Sequence, residues 1–156
     1  MANPLTLLLP VIPGTTLGKG LGEYISQLYA ALASIGTVHY ARGVFLDTSS
    51  PNLISTSSTS TGPFVVAVLT QYDGSFDAYI QDFISQAGTV FDALLPNVVG
   101  GAAVVPVADN AAAFQAFIKQ NDASQQPPNN GSTYQAYAAT VQQILASVPA
   151  EPSSNA

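Results

Sequence analysis

Pro63 to Leu95, PFVVAVLTQYDGSFDAYIQDFISQAGTVFDALL, constrains the fold more than any other stretch of this chain. An apolar run over residues 63–71 reads as a strand buried on both faces, as expected for a central strand. It meets Asp73-Gly74-Ser75, where Gly74 permits a positive φ and Asp73 or Ser75 can accept from the free amides of a following helix. Asp77 sits in that helix's first turn, where the dipole favours negative charge. Phe76, Tyr79, Ile80, Phe83, Val90, Phe91 and Leu94 recur at helical spacing and form its buried stripe, and Pro96 ends it. A strand, a tight turn and an amphipathic helix joined this closely set the local geometry.

The flanking sequence extends the pattern. Residues 5–12 read as a first strand, edge-like or irregular at Pro10. Leu17, Leu21, Tyr24, Ile25, Leu28 and Leu32 then mark a helix, with Thr15 or Thr16 as its cap and Gly36 as its stop. Residues 37–47 alternate as a second strand. Regular pleating sends Val38, Tyr40, Arg42, Val44 and Leu46 to one face and Thr37, His39, Ala41, Gly43 and Phe45 to the other. Serine and threonine dominate residues 48–62, a long connection read as a flap or as an arm packed on a partner.

A fourth strand is expected over residues 101–107, weakened by Pro106, and then a helix capped by Asp109 that presents Phe114, Phe117 and Ile118. Residues 121–131 carry turn signals throughout. A last helix is expected from Ser132, with Gln135 completing a capping box. Residues 150–156 read as a disordered tail after one domain over 1–149.

The order β-α-β-β-α-β plus two C-terminal helices predicts a ferredoxin-like α+β fold with a four-stranded antiparallel sheet. Helices would cover one face. The other is apolar, and a second copy facing it would give a homodimeric α+β barrel, because large apolar faces are rare on monomers.

Composition narrows the function classes. The 156 residues include three cations, Lys19, Arg42 and Lys119, against nine carboxylates, for a net charge of -6. Nucleic-acid binding needs clustered Lys and Arg, and an anionic membrane surface needs the same, so neither partner is expected. No cysteine is present, which removes thiolate metal sites and disulfides. Only one histidine exists, with no carboxylate at metal-ligand spacing, so no metal is expected. The first apolar run lacks a basic flank and is broken by prolines, arguing against a cleaved signal peptide. A cytoplasmic location is the default expectation.

The segments LTLLLPVIPG, TVHYARGVFLD, FVVAVLTQYDGSFDAYIQDF and TYQAYAATVQQI resemble a group of ferredoxin-like, dimeric α+β-barrel proteins. That group carries an HFAR…F/Y-D-G pattern, on which His39, Ala41, Arg42, Asp73, Gly74 and Tyr79 fall. The resemblance spans most of residues 5–146. It implies a fold and a dimer, and supplies no catalytic residues. A more distant likeness, to dye-decolorising peroxidase halves, rests on Asp73-Gly74. The leading glycine of their motif is Thr70 here, and His39 precedes the turn that their haem ligand follows. Haem is therefore not the expected cofactor.

Candidate ligand-binding residues are His39, Tyr40, Arg42, Phe45, Phe64 and Tyr72. His39 can act as a base or axial ligand, or simply pack within the sheet. Arg42 on an apolar face needs a partner, either Asp73 or Asp47 as a clamp or an anionic ligand in a cavity. Tyr40, Phe45, Phe64 and Tyr72 can line an apolar pocket between sheets, or form core. Asp73, Gly74 and Ser75 are read as turn and cap. His39 and Arg42 cannot share a cavity unless a bulge, placed at Gly43, intervenes. The functional expectation is a homodimeric domain binding an apolar small molecule or a protein. The alternatives are a cofactor-independent oxygenase or isomerase acting on an aromatic or polyketide-like compound, and a haem-binding protein.

Overall fold

A computed structural model describes residues 1–15, 19–55, 57 and 59–148, with the side chains of residues 19–21 left aside. Thr16, Leu17 and Gly18, and the tail expected to be disordered over 150–156, lie outside the described residues. The elements are β1 (Asn3–Pro10), α1 (Lys19–Ile35), β2 (Val38–Asp47), β3 (Phe64–Tyr72), α2 (Phe76–Leu94), α3 (Ala111–Asn121) and α4 (Val141–Ser147). The three strands form an antiparallel sheet in the order β1-β3-β2, so β3 is central as its double-sided apolar run requires.

Register assigns the faces. Leu5, Leu7 and Leu9 of β1 oppose Thr70, Val68 and Val66 of β3, and these oppose Ala41, Gly43 and Phe45 of β2. This inner face packs on Ile25, Leu28 and Leu32 of α1 and on Tyr79, Ile80, Phe83 and Phe91 of α2. Gly43 lets α1 approach, since a Cβ there would meet Ile25 at 2.9 Å. An aromatic chain runs through the core: Tyr72 stacks on Tyr79 at 3.8 Å, and edge-to-face contacts continue through Phe83 and Phe91 to Phe114.

The expected strand-turn-helix joint is present. Gly74 has φ +90°, and Ser75 caps α2 by accepting from the Ala78 amide. Gly36, at φ +71°, ends α1.

The expected fourth strand does not form, and the sheet has three strands rather than four. Residues 95–97 and 101–104 are short 3-10 turns instead. Gly100 sits at φ +76°, and the Gly101 backbone packs so tightly that a Cβ would lie 2.3 Å from the Leu95 carbonyl oxygen. Pro106 adds no ladder donor. The free edge of β1 is paired piecemeal, because buried backbone groups need partners. The Val99 amide donates to Pro10 and the Ala123 amide to Thr6, each at 2.8 Å. Asp122 Oδ1 accepts from the Thr6 amide at 3.0 Å.

Two helix starts also differ from expectation. Asn110, with no side-chain cap bond, precedes α3 in place of Asp109. The last helix starts at Val141, where Thr140 and Gln143 make the capping box. Gln135, expected to pair with Ser132, accepts from the Ala2 amide instead.

The connection 48–62 is organised on Asp47, only 5 % exposed. Its carboxylate accepts from the Ser49 hydroxyl and amide and from the Ser60 hydroxyl. The Ser49 hydroxyl bond foremost, with Ser60 and the Ser49 amide, holds Asp47 below the usual carboxylate range against the opposing effect of burial.

Candidate functional site

The second face of the sheet is where site and fold meet. Thr6, Leu8, Arg42, Val44, Leu46, Val65, Ala67 and Leu69 occupy it by register, opposite to the helix-packed residues. Leu8, Val44, Leu46, Val65 and Leu69 are half-buried there, and Arg42 is exposed. None of these five aliphatics belongs to the helix-covered core. Neighbouring side chains shield one another along the strands, but no described helix lies over them.

One end of this face has a roof. Residues 124–133 bend across it, tied down by the Gln71 amide donating to Thr133 Oγ1 and by the Ser124 hydroxyl donating to Pro4 at 3.0 Å. A cleft of about 440 Å³ remains beneath, lined among others by Thr6, Tyr40, Leu69, Asn129 and Thr133. The chain's own C-terminal segment thus covers the Tyr40 end and leaves the Leu8–Val44–Leu46 end uncovered.

Arg42 pairs across β3 with Leu69. Neither expected clamp forms. Asp73 binds His39, Asp47 is committed to serines, and Arg42 has no ion pair among the described residues. The guanidinium therefore stands as the one charge on an otherwise apolar face.

His39 lies elsewhere. The β2–β3 register shifts between Val38 and Tyr40, making His39 the extra residue of a bulge. A bulge was the condition for His39 and Arg42 to share a cavity, yet it falls four residues before Gly43 and turns the histidine away. His39 Nε2 lies 3.0 Å from Asp73 Oδ1, with the two side chains 4 % and 12 % exposed. The other carboxylate oxygen accepts from the Val141 amide at 2.8 Å, which fastens α4 to the end of β3. Burial pushes the Asp73 carboxyl upward, but the Val141 amide and the His39 ring outweigh it and leave the group below its ordinary range. A cleft of about 320 Å³ adjoins His39, lined by Leu32, Val38, Tyr137 and Ile144 among others.

The aromatic candidates disperse. Tyr40 is on the second face and exposed. Phe45, Phe64 and Tyr72 are on the inner side, where Phe64 and Tyr72 are buried and Phe45 packs against the core. They do not line a pocket with Tyr40, because alternation along β2 and β3 puts them on the helix side. The sequence reading missed Gln71 and Thr133, which tie the roof to the sheet, and Asp122, which caps the β1 edge. Only Asp122 left a signal, as an acidic residue in a turn-rich segment followed by serine.

Comparison with protein-family models, with curated proteins and with solved structures finds no match to this chain.

Proposed function

We propose that this domain is a homodimeric binding module in which two uncovered sheet faces oppose one another and enclose an apolar small molecule bearing an anionic group. The observation that carries this reading is the row Leu8, Val44, Leu46, Val65 and Leu69 with Arg42 as its single charge. An apolar face of this kind is stable when another apolar face removes it from water. A two-fold axis makes the patch its own complement, since the same residues serve both copies. The paired sheets would be three-stranded, so the barrel is a reduced version of the ferredoxin-like dimer that the sequence resembles.

Arg42 specifies the ligand. Two guanidiniums drawn into a closed interface need a negative partner, because an unpaired buried charge is strongly destabilising. The planar fork of donors matches a carboxylate, and the aliphatic wall matches an apolar body. The test is Val44→Lys, which adds a charge to the uncovered end of the face without touching the helix-packed core. Sedimentation is expected to change from dimer to monomer with helical circular dichroism intact. A variant that remains dimeric would refute the interface.

A second reading has one observation in its favour. His39 with Asp73 beside an apolar cleft has the form of an oriented general base, in which a carboxylate fixes the ring and one nitrogen handles protons. This supports a cofactor-independent enzyme acting on an aromatic compound. Haem ligation has less support, since Nε2 is engaged by Asp73.

A further inference from the structure

One further cleft plays no part in that reading. It lies on the opposite side of the β1–β3 end from Arg42's face and measures about 560 Å³. Asn3, Tyr72, Lys119, Asp122, Gln125 and Gln126 line it, with Phe76 on its wall. Two of these residues are deeply buried and incompletely bonded. Asp122 is 2 % exposed and Tyr72 is 3 % exposed.

The Thr6 amide, the Ser124 amide and the Ser124 hydroxyl all bind Asp122 through Oδ1, at 3.0, 2.9 and 2.7 Å. Among the described residues, nothing donates to Oδ2. The Tyr72 hydroxyl also lacks a hydrogen-bond partner among them, although the ring is fixed by stacking on Tyr79. Burial and, after it, the nearby Asp122 charge push the phenol up to about 12, so it stays protonated and can donate at neutral pH. Both oxygens open into the cleft while the rest of each side chain is buried and fixed, so a molecule lying there can accept from the phenol and donate to the carboxylate.

The remaining lining shows what that something is. Asn3 spends its amide nitrogen on the Gly74 carbonyl, which leaves its oxygen to accept. Gln125 spends its nitrogen on Ser124 and Pro4, which likewise leaves an oxygen. Lys119 is held at the rim, 3.8 Å from Asp77 and 5.0 Å above the Phe76 ring. The buried part of the cleft therefore offers one donor, the phenol, beside several acceptors, while Ser75 and Gln126 add exposed donors at its rim. An anion would meet the open carboxylate oxygen of Asp122, and Lys119 stands at the rim beside Asp77. A hydroxyl group both donates and accepts, and so fits an Asp–Tyr pair flanked by amides.

We propose that this cleft binds a neutral polyhydroxylated small molecule, a sugar or cyclic polyol, through Tyr72, Asp122, Asn3 and Gln125. The site is independent of the sheet face, so a monomeric or Arg42-substituted protein should retain it.

The test is amide-shift titration of the full chain with glucose, sucrose and myo-inositol, with ethylammonium as a cationic control. Saccharide or inositol addition is expected to move the amides of Gly74, Ser75 and Gln125. Tyr72→Phe keeps the stack and loses the donor, and is expected to bind about tenfold more weakly with an unchanged melting midpoint. Asp122→Asn is the second variant, expected to weaken binding while its Oδ1 position still accepts from Thr6. Absence of shifts with all three polyols would mean that the cleft holds only water and would overturn the proposal. Shifts produced by ethylammonium alone, or equal affinity in Tyr72→Phe and the wild type, would overturn it as well.

Discussion

His39 Nε2 and Asp73 Oδ1 stand 3.0 Å apart across the end of the sheet, joining the bulge in β2 to the residue that follows β3. Asp73 also accepts from the Val141 amide, and its own amide donates to the Thr37 carbonyl at 2.9 Å. One residue thus connects the α1–β2 turn through its amide, and the bulge and the last helix through its carboxylate. The node fastens the start of α4 at Val141 to the end of β3.

Acid should release it. The folded carboxyl of Asp73 sits below its ordinary value of 3.8, so its stabilising contribution is full above that value and is lost as pH falls through the lowered folded value. Asp73→Asn is expected to cost about 1–3 kcal/mol at neutral pH, from weakened bonds to His39 and Val141. It should also flatten the acid limb of the stability curve. Melting midpoints measured from neutral pH down to about 3 check both; an acid limb as steep as the wild type's would remove Asp73 from this role.

Gly74→Val probes the strand-turn-helix joint. No atom lies within 4 Å of a Cβ built at Gly74, so the cost comes from φ +90° alone. A loss of about 1–3 kcal/mol is expected, the usual range for a non-glycine residue held in that region. An unchanged denaturation midpoint would show that the turn relaxes freely.

Arg42→Met separates a ligand role from a structural one. With no ion pair among the described residues and an exposed side chain, stability should change by less than about 0.5 kcal/mol. Affinity for benzoate, as an aromatic carboxylate probe, should fall. A large stability loss with benzoate binding preserved would return Arg42 to the role of a clamp.

Local chemistry was readable wherever one or two residues dictate it. Gly74 with Ser75, the aromatic stripe of α2, the apolar run of β3 and the stop at Gly36 all formed as their sequence implies. Elements that depend on distant partners were not readable. Residues 101–107 have strand-like composition, but Gly101 packs against Leu95 and the β1 edge is satisfied by Val99 and Ala123, leaving no ladder to join. The Ser132–Gln135 spacing satisfies a capping box, yet the same spacing at Thr140 and Gln143 is the one used, because Asp73 anchors the Val141 amide.

The site residues follow the same division. Alternation placed Arg42 and Tyr40 correctly on the second face. It failed for Val38, because the residue inserted at His39 turns the earlier part of β2 over and sets Val38 opposite Tyr72 on the core side. Charge pairing was also illegible. Asp73 and Asp47 were the acids nearest to Arg42 in the expected hairpin, and each has a closer hydrogen-bond partner within reach.

The most direct measurement is the solution mass of the unmodified chain by light scattering across a dilution series. A mass of twice the 16.0 kDa chain, falling toward one chain only on strong dilution, is the predicted result. A mass of 16.0 kDa at every concentration would contradict the account, because Leu8, Val44, Leu46 and Val65 would then face water with no second copy to cover them.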